Sequence, residues 1–331
     1  MEATFERLKE LTAPCGVSGN ESAIAALIRT LAAPFADEIK TDALGNVLVR
    51  KGSGGKKLLF AAHMDTVGLI VTHIDENGFV RFGPVGGLLA ANLLHTPVVF
   101  SNGVRGVIRR DETVELRELR IKDLYADIGA ADRAAAQAAV QLGDTAVYDL
   151  PTVRCGSRVF SPYMDDRVGC LVLLQALERL QNPCNEVWFA FTVQEEVGLR
   201  GAKTAAYGLC PDYGFAVDVT RAGDIPEPQR KNPTHLGGGA AIKIMDSSII
   251  AHPRIVALLE EMAAQKSIPV QRDILVSGGT DAGEIHRTHT GVPTGGISVP
   301  ARGIHTPCES VDLGDVAACV DLVTAAAEAA L

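Results

Sequence analysis

The most distinctive pattern in the sequence is an apolar run that ends in two adjacent carboxylates. Residues 187–193 contain nothing polar larger than a threonine, which predicts a strand buried on both faces. Glu195 and Glu196 follow its carboxyl end, the edge at which open α/β sheets bind ligands. Because neighbouring residues on an extended backbone point in opposite directions, we expect one glutamate to bind a cation and the other to face a substrate or a water.

Similar short apolar runs recur along the chain and alternate with longer amphipathic segments. The short runs predict strands, and the longer segments, with apolar residues at helical spacing, predict helices. The further predicted strands are at 58–62, 213–219, 240–245, 274–276 and 292–299, and the main predicted helices are at 168–180, 254–265 and 313–331. This alternation favours an α/β fold with a mixed, mostly parallel sheet flanked by helices.

Residues 66–160 follow a different pattern. Short apolar runs alternate there with glycines and charges, and one alanine-rich stretch at 131–142 predicts a single helix. Such a pattern is typical of a small β-rich module inserted into an α/β chain. We therefore predict a discontinuous α/β domain of residues 1–65 and 161–331 and an inserted domain of residues 66–160.

Composition narrows the class of protein. The 331 residues are 47% hydrophobic and 21% charged, as in ordinary soluble proteins. The net charge of -9 argues against nucleic acid and anionic membrane as partners, because both repel an acidic surface. No window of the sequence approaches the length of a membrane span. The seven cysteines form no CxxC pair, which favours reduced thiols and a cytoplasmic protein.

Polar residues that follow the apolar strands supply the candidate chemistry. Strand ends of one sheet meet in space, so we expect these side chains to form one cluster. The residues are His63, Asp65, Asp165, Asp166, Glu195, Glu196, Asp218 and His305. Imidazoles with carboxylates and no thiolate form a ligand set suited to zinc, cobalt or manganese.

Each of these residues also has a simpler explanation. A lone His63 is more often a hydrogen-bonded core histidine, but Asp65 two residues later could accept its ring N–H and fix the tautomer. Asp165 and Asp166 precede a helix, where acids cap the amino end. Both roles are compatible if Asp166 caps the helix or pairs with Arg167 while Asp165 binds a metal. Asp218 ends an apolar strand, where an unpaired carboxylate is costly and requires a cation or donors.

The ordered motifs closely resemble one known family. They are HMD at 63–65, MDDRVGC at 164–170, QEEVGLRGA at 194–202, VDVT at 217–220, GGTDAG at 278–283 and IHTP at 304–307. Together they resemble the TET-type dinuclear metalloaminopeptidases, the glutamyl or deblocking aminopeptidases among the co-catalytic exopeptidases. The likeness covers nearly the whole chain. It departs from the usual pattern at Ala301 and Gly303, where bulkier residues are common.

The resemblance implies a site with two divalent ions, Zn²⁺ or Co²⁺ with Mn²⁺ as a further candidate. Asp165 would bridge the ions. His63 and Asp218 would complete one site, and Glu196 and His305 the other.

The resemblance also implies roles for four further side chains. Asp65 would orient His63, and Glu195 would be the general base. Thr280 and Asp281 would line the substrate pocket. The inserted domain would be a small β-barrel that drives dimerisation, and the dimers would build a tetrahedral dodecamer.

The sequence is compatible with four functions. The first is an aminopeptidase that releases residues from the amino ends of short peptides. The second keeps the metal site but hydrolyses N-acylated amino acids or related amides, because specificity depends on loops such as 221–235 and 277–290. A glycosidase would need two carboxylates facing each other across the substrate. The last is a non-catalytic assembly protein that has kept the shell of the fold.

Overall fold

The computed structural model of the chain describes residues 1–226 and 233–331. The middle of the loop 221–235, which we expect to influence specificity, therefore lies outside the described residues. In chain order the strands of the described part are β1 (Glu38–Thr41), β2 (Val47–Lys51), β3 (Lys57–His63), β4 (Gly68–Ile74), β5 (Val80–Val85), β6 (Pro97–Phe100), β7 (Arg105–Arg110), β8 (Leu124–Asp127), β9 (Thr145–Tyr148), β10 (Val153–Cys155), β11 (Arg158–Ser161), β12 (Glu186–Thr192), β13 (Tyr213–Arg221), β14 (Ala240–Met245), β15 (Val270–Ile274), β16 (Thr294–Arg302) and β17 (Glu309–Asp312).

A mixed sheet runs through the larger part of the described structure. Its order is β1-β2-β12-β3-β13-β16-β17-β11-β10, and β14 pairs with β16 on one side and β15 on the other. The central pairs β12/β3, β3/β13 and β13/β16 are parallel. The pairs that flank them, β2/β12 and β16/β17, are antiparallel. The predicted mixed sheet is confirmed, with its parallel pairing at the centre.

Three phenylalanines fix the register of the central strands. Phe60 on β3 lies opposite Phe189 on β12 and Phe215 on β13. The ring centroids are 5.9 Å apart for Phe60 and Phe189, and 4.5 Å apart for Phe60 and Phe215. Such same-face ring contacts across neighbouring strands stabilise one register. Because His63 and Asp218 each follow three residues after their phenylalanine, this register brings them level at the carboxyl edge.

The inserted segment contains a closed barrel with the strand order β4-β5-β8-β7-β6-β9. Its interior is a separate apolar cluster that includes Leu69, Val80, Val98 and Ile108. Closure removes the exposed edges that an isolated small sheet would present. The predicted barrel is thus confirmed. The next strands, β10 and β11, join the large sheet, since β11 pairs with β17.

Helices cover both faces of the large sheet. Those of the described residues are α1 (Glu2–Thr12), α2 (Ser22–Ala32), α3 (Ala90–Leu93), α4 (Arg133–Ala139), α5 (Met164–Arg179), α6 (Arg200–Leu209), α7 (Pro253–Lys266), α8 (Ala282–Ile285) and α9 (Leu313–Glu328), with 3-10 turns at Leu116–Glu118 and Ile121–Asp123. α5 packs on β3 and β13 and is itself covered by α1 and α9, which explains its nearly continuous apolar sequence. Across the described ranges, no helix is both long enough and apolar enough to span a membrane.

One strand prediction was largely wrong. The apolar residues of 274–276 predicted a strand, but the paired strand is β15, Val270–Ile274, and Val276 is half exposed. β15 pairs only with β14 among the described strands, and it carries exposed polar side chains such as Arg272. A strand with one partner does not need an unbroken apolar sequence, so hydrophobicity alone misplaced it.

Candidate metal centre

The proposed ligands meet at the carboxyl edge of the central strands. His63 is the last residue of β3, Asp218 lies near the end of β13, and Glu195 and Glu196 follow β12. Asp165 enters from the start of α5. His305 arrives in the loop between β16 and β17. The sequence-predicted cluster is therefore assembled in space from segments that are far apart in the chain.

Asp165 lies between the two imidazoles. Its Oδ1 is 2.9 Å from Nε2 of His63, and its Oδ2 is 3.3 Å from Nε2 of His305. The two oxygens of one carboxylate thus face two different histidines. A side chain in this position is placed to bridge two cations.

The other carboxylates divide between the two histidines. Glu195 Oε2 and Asp218 Oδ1 each lie 3.9 Å from Nε2 of His63. Glu196 Oε2 lies 3.1 Å from Nε2 of His305. Donor atoms of His63, Glu195 and Asp218 fall within 4.8 Å of one another, a spacing that could hold a metal ion.

A second group of donors overlaps the first. Atoms of His63, Asp165 and Glu196 also lie within 4.8 Å of one another. These groupings differ from the pairing that the resemblance implies, which assigns Glu196 to His305. Nε2 of His305 lies 3.1 Å from Glu196 and 3.3 Å from Asp165, so these two carboxylates contact that imidazole directly.

Both imidazoles are oriented by backbone carbonyls. Nδ1 of His63 is 3.1 Å from the carbonyl oxygen of Asp65 and 3.6 Å from its carboxylate. Nδ1 of His305 is 2.9 Å from the carbonyl oxygen of Gly87, which lies in the inserted segment. An Nδ1–H bonded to a carbonyl leaves Nε2 free to bind a metal. A Cβ at Gly87 would lie 3.3 Å from this Nδ1, so the close approach favours glycine.

The two glutamates lie in a turn, not on an extended backbone. β12 ends at Thr192, and Gln194 has a φ of 56°, which ends the extended conformation. The expectation that strand alternation separates the glutamates was therefore wrong in its cause. Their side chains still diverge, because the turn directs Glu195 towards His63 and Glu196 towards His305.

Buried side chains hold this turn by its backbone. The N–H of Val193 donates to Asn46 at 3.0 Å, and that of Gln194 donates to Glu21 at 3.2 Å. Asp65 accepts the next two N–H groups, from Glu195 at 2.9 Å and Glu196 at 3.2 Å. Sequence reasoning missed Asn46 and Glu21, because these contacts link positions more than a hundred residues apart.

Asp65 has a further donor. The Ser18 hydroxyl donates to its Oδ2 at 2.6 Å. Burial opposes ionisation of Asp65, but the contacts with His63 and Ser18 outweigh it and lower the pKa of this carboxyl. An ionised Asp65 can accept all of these donors.

Asp165 and Asp166 diverge at the start of α5. The backbone at both residues departs from helical angles, and the peptide bond between them is cis. Asp166 Oδ1 accepts the N–H of Gly169 at 3.0 Å, which is a capping contact as expected. Arg167 does not pair with Asp166 but donates to the carbonyl oxygen of Leu11. Asp166 thus caps the helix, while the Asp165 carboxylate contacts the two histidines.

Burial and mutual contact shift the pKa values of the carboxyl and imidazole groups in the cluster. Burial raises the pKa of Glu195 and of Asp218 well above the usual range, and the neighbouring carboxylates add to the shift. Burial would lower the pKa of His305, but Asp165 and Glu196 raise it to about 11. A cation bound among these side chains would neutralise the carboxylates and favour their ionised forms.

The residues present fit a divalent metal. Oxygen and imidazole nitrogen donors without thiolate suit zinc, cobalt or manganese. Glu196 Oε1 is buried, and no residue of the described ranges hydrogen-bonds it. A buried carboxylate oxygen without a partner is costly, and a cation would satisfy it.

The cluster forms the floor of a cavity of about 450 Å³. Beyond the donors, its walls include the apolar side chains of Leu199, Val219, Leu275 and Ile304. Polar side chains line it as well, namely Arg221 and the serines at 247, 248 and 277. The cavity therefore combines a charged floor with walls of mixed character, as in sites that bind small organic ligands through apolar contacts and a few polar groups.

Thr280 and Asp281 lie behind the wall of this cavity. Both are 2% exposed. The Thr280 hydroxyl donates to Asp246 at 2.9 Å, and Asp281 accepts the hydroxyl of Thr192. Burial raises the pKa of Asp281 to about 6. The neighbouring Gly279 lines the cavity directly, so the substrate contacts assigned to Thr280 and Asp281 stay a prediction.

Comparison with known proteins decides the family. The family model described as M42 glutamyl aminopeptidase matches residues 45–322. The chain belongs to this family. Membership makes it a metal-dependent aminopeptidase, a hydrolase, as the resemblance predicted. The alternative of an N-acyl amino acid hydrolase is not favoured by these relatives.

Several relatives match the M42 chain along nearly its whole length. A protein of Acetivibrio thermocellus is 44% identical, with 98% of each chain covered. The lysyl aminopeptidase of Pyrococcus furiosus is 32% identical and covers 98% of this chain and 96% of its own. The glutamyl aminopeptidase of Lactococcus lactis is also 32% identical, over 91% of this chain and 89% of its own.

Solved structures agree with the M42 assignment. An aminopeptidase from the archaeon Desulfurococcus kamchatkensis superposes with a TM-score of 0.96 at 38% identity, covering 99% of this chain and 95% of that one. The Pyrococcus horikoshii TET1 peptidase, described as assembling into a tetrahedron or a large octahedral shell, gives 0.88 at 33%, over 98% and 99%. A Thermotoga maritima protein named endoglucanase gives 0.83 at 33%, over 97% and 96%.

We predict that Asp65→Asn lowers metal content or activity about 10- to 100-fold, the usual cost of losing a partner that orients metal ligands. Asparagine keeps the shape of Asp65 but replaces one accepting oxygen by a donor, so a backbone N–H of the glutamate turn loses its bond. Metal analysis of the purified protein and kcat/KM on an aminoacyl anilide measure the effect. Ser18→Ala, which removes only the hydroxyl donor, should cost less. An Asp65→Asn variant with wild-type metal content and activity would contradict this role.

Proposed function

We propose that the protein releases amino-terminal residues from short peptides through a centre of two divalent ions on either side of Asp165. The observation that carries this proposal is the position of Asp165, whose two oxygens face two different histidines. His63 and Asp218 would hold one ion, and Glu196 and His305 the other. Zn²⁺ and Co²⁺ fit these donors best, and Mn²⁺ is a further candidate. When bound, two such ions supply Lewis acidity that activates a water and polarises the scissile carbonyl.

Glu195 is the proposed general base. Its Oε2 lies 3.9 Å from Nε2 of His63, so the carboxylate stands at the cluster without a hydrogen bond to that imidazole. Burial raises its pKa, which favours a group that takes a proton from water and returns it to the leaving amine. The backbone bond of Glu195 to Asp65 fixes where that carboxylate stands.

The cavity supports a peptide amino end as the substrate. Its floor carries several carboxylates, which attract a free α-amino group. Apart from the cluster, the described residues of the lining contribute no carboxylate, and they include Arg221 beside the apolar side chains. This lining favours an uncharged first side chain over a lysine, although a lysyl aminopeptidase is among the relatives.

The name of one structural neighbour raises a second class of reaction, glycoside hydrolysis. A carboxylate-only glycosidase needs its acid pair free to face a sugar from both sides. Here Glu196 contacts His305, and Glu195 lies near His63. Imidazoles interleaved with carboxylates support metal chemistry instead.

We predict that Glu195→Gln keeps its metal ions and loses turnover by about 10²- to 10⁴-fold, the contribution of a general base. The amide retains the shape of the side chain but does not take a proton. Metal analysis and kcat on an aminoacyl anilide check both parts. Glu260→Gln, at a surface ion pair with Arg272, is a matched control and should leave both unchanged. A fully active Glu195→Gln variant would refute the role.

We predict that the protein cleaves aminoacyl anilides with a free amino group, leucyl ahead of lysyl, and leaves N-acetylated versions and cellulose-type glycosides intact. A chelator should abolish the activity, and added Zn²⁺ or Co²⁺ should restore it. The measurement is initial rates on the matched substrate panel before and after chelation. Activity confined to blocked substrates would support the amidohydrolase alternative, and chelator-resistant glycoside cleavage would support the glycosidase.

We further propose that the inserted barrel segment drives dimerisation and that the dimers build a dodecamer. The segment 66–160 exposes several large apolar side chains, including Leu89, Leu116 and Leu142, which are each more than 60% exposed. Apolar side chains of this kind mark an association surface where they form a contiguous patch. The neighbouring TET peptidase structure, described as a tetrahedron or an octahedral shell, supports the same geometry.

We predict a solution mass of twelve chains by light scattering and a smaller assembly for Leu116→Glu, because a charge at a buried contact is costly. Activity per chain and the unfolding temperature of the separated species serve as controls for folding. A wild-type protein that is monomeric at micromolar concentration would contradict the assembly.

A further inference from the structure

Glu309 is a buried carboxylate next to the cluster that sequence reasoning did not single out. It is the first residue of β17 and is 2% exposed. Its Oε2 accepts the backbone N–H of Asp165 at 2.9 Å, and its Oε1 accepts the backbone N–H of His305 at 2.7 Å. Both oxygens therefore serve the backbone of two proposed metal ligands.

The two residues that Glu309 joins belong to different segments. Asp165 stands at the start of α5, and His305 lies in the loop after β16, where its φ of 62° places it in the left-handed region. Glu309 is only four residues beyond His305 but 144 residues from Asp165. A single side chain thus ties together the backbones of two ligands that come from distant segments of the chain.

Asp65 uses the same arrangement on the other side of the cluster. Its carboxylate accepts the backbone N–H groups of Glu195 and Glu196. Asp65 and Glu309 together hold the backbone of four residues of the centre. This repetition argues that Glu309 positions ligands, because a carboxylate is a costly choice for a buried capping group.

We propose that Glu309 is a positioning residue that ties Asp165 to His305 and thereby sets the affinity for the ion held by Asp165, Glu196 and His305. This inference rests on the proposed two-ion centre. The ion at His63 and Asp218 depends on Glu309 less, because Glu309 bonds the backbone of only one of its ligands, Asp165, but of two ligands of the other ion, Asp165 and His305.

The test is a titration of the metal-free protein with Co²⁺, followed by visible absorption and calorimetry. We expect the wild type to bind two ions. Glu309→Gln keeps the shape of the side chain but presents an NH₂ group to one of the two backbone N–H groups. We expect this variant to bind the first ion, at His63 and Asp218, within about threefold of the wild-type affinity. We expect it to bind the second ion, at Glu196 and His305, about 10- to 100-fold more weakly than the wild type does. The kcat should recover at saturating Co²⁺.

Two further variants separate positioning from general stability. Asp315 is 1% exposed and accepts the backbone N–H groups of Gly237 and Gly239, each at 2.7 Å. Asp315→Asn therefore makes the same chemical change in a clamp that bonds none of the proposed ligands, and it should leave both ions unaffected. Glu309→Asp keeps the carboxyl group but is too short to serve both segments, so it should also weaken the second ion. It provides the same test if the glutamine variant does not fold.

Three results with the variants would overturn the proposal. They are wild-type affinity for the second ion in both Glu309 variants, equal weakening of both ions, and a selective loss of the second ion in Asp315→Asn. A wild type that binds two ions but cleaves no peptide would contradict the proposed function and leave this comparison valid. A wild type that binds a single ion would overturn the proposal together with the two-ion centre on which it rests.

Discussion

The structure depends on one electrostatic constraint, the crowding of buried carboxylates around two imidazoles. Asp165, Glu195, Glu196 and Asp218 converge on His63 and His305 at the floor of a cavity. Carboxylates at such distances in a buried site repel one another and lose their hydration, so they ionise together only if cations compensate them. Burial and this crowding together raise the pKa of Glu195 and of Asp218, and the carboxylates beside His305 raise its pKa as well. The cluster thus favours a bound cation.

The scaffold meets this constraint by holding the ligands through their backbones. Phenylalanines at equivalent positions of β12, β3 and β13 align the strand ends. Asp65 and Glu309 accept backbone N–H groups from residues of the centre, and backbone carbonyls of Asp65 and Gly87 orient the imidazoles. Gly87 belongs to the inserted segment, so the barrel contributes to the site as well as to the proposed assembly. Side chains that are held this way are preorganised, and little further ordering is needed when a cation binds.

Part of this arrangement could be predicted from the sequence, because strand ends and their polar residues follow from local patterns. The same tetrapeptide pattern, Phe-Ala-x followed by a polar residue, occurs at 60–63, 189–192 and 215–218, and it would have indicated the common register. The roles of Asn46, Glu21 and Glu309 could not be predicted, since their contacts join distant segments. The turn at Gln194 and the position of β15 also escaped, because the left-handed backbone of Gln194 and the single partner of β15 are set by tertiary structure.

The central claim is that Asp165 stands between two cations. Anomalous diffraction from crystals grown with Zn²⁺, recorded on both sides of the zinc absorption edge, tests it most directly. The account predicts two peaks about 3.5–4 Å apart, the usual separation in two-metal sites, one beside His63 and Asp218 and the other beside Glu196 and His305. A single peak, or zinc bound away from Asp165, would contradict it.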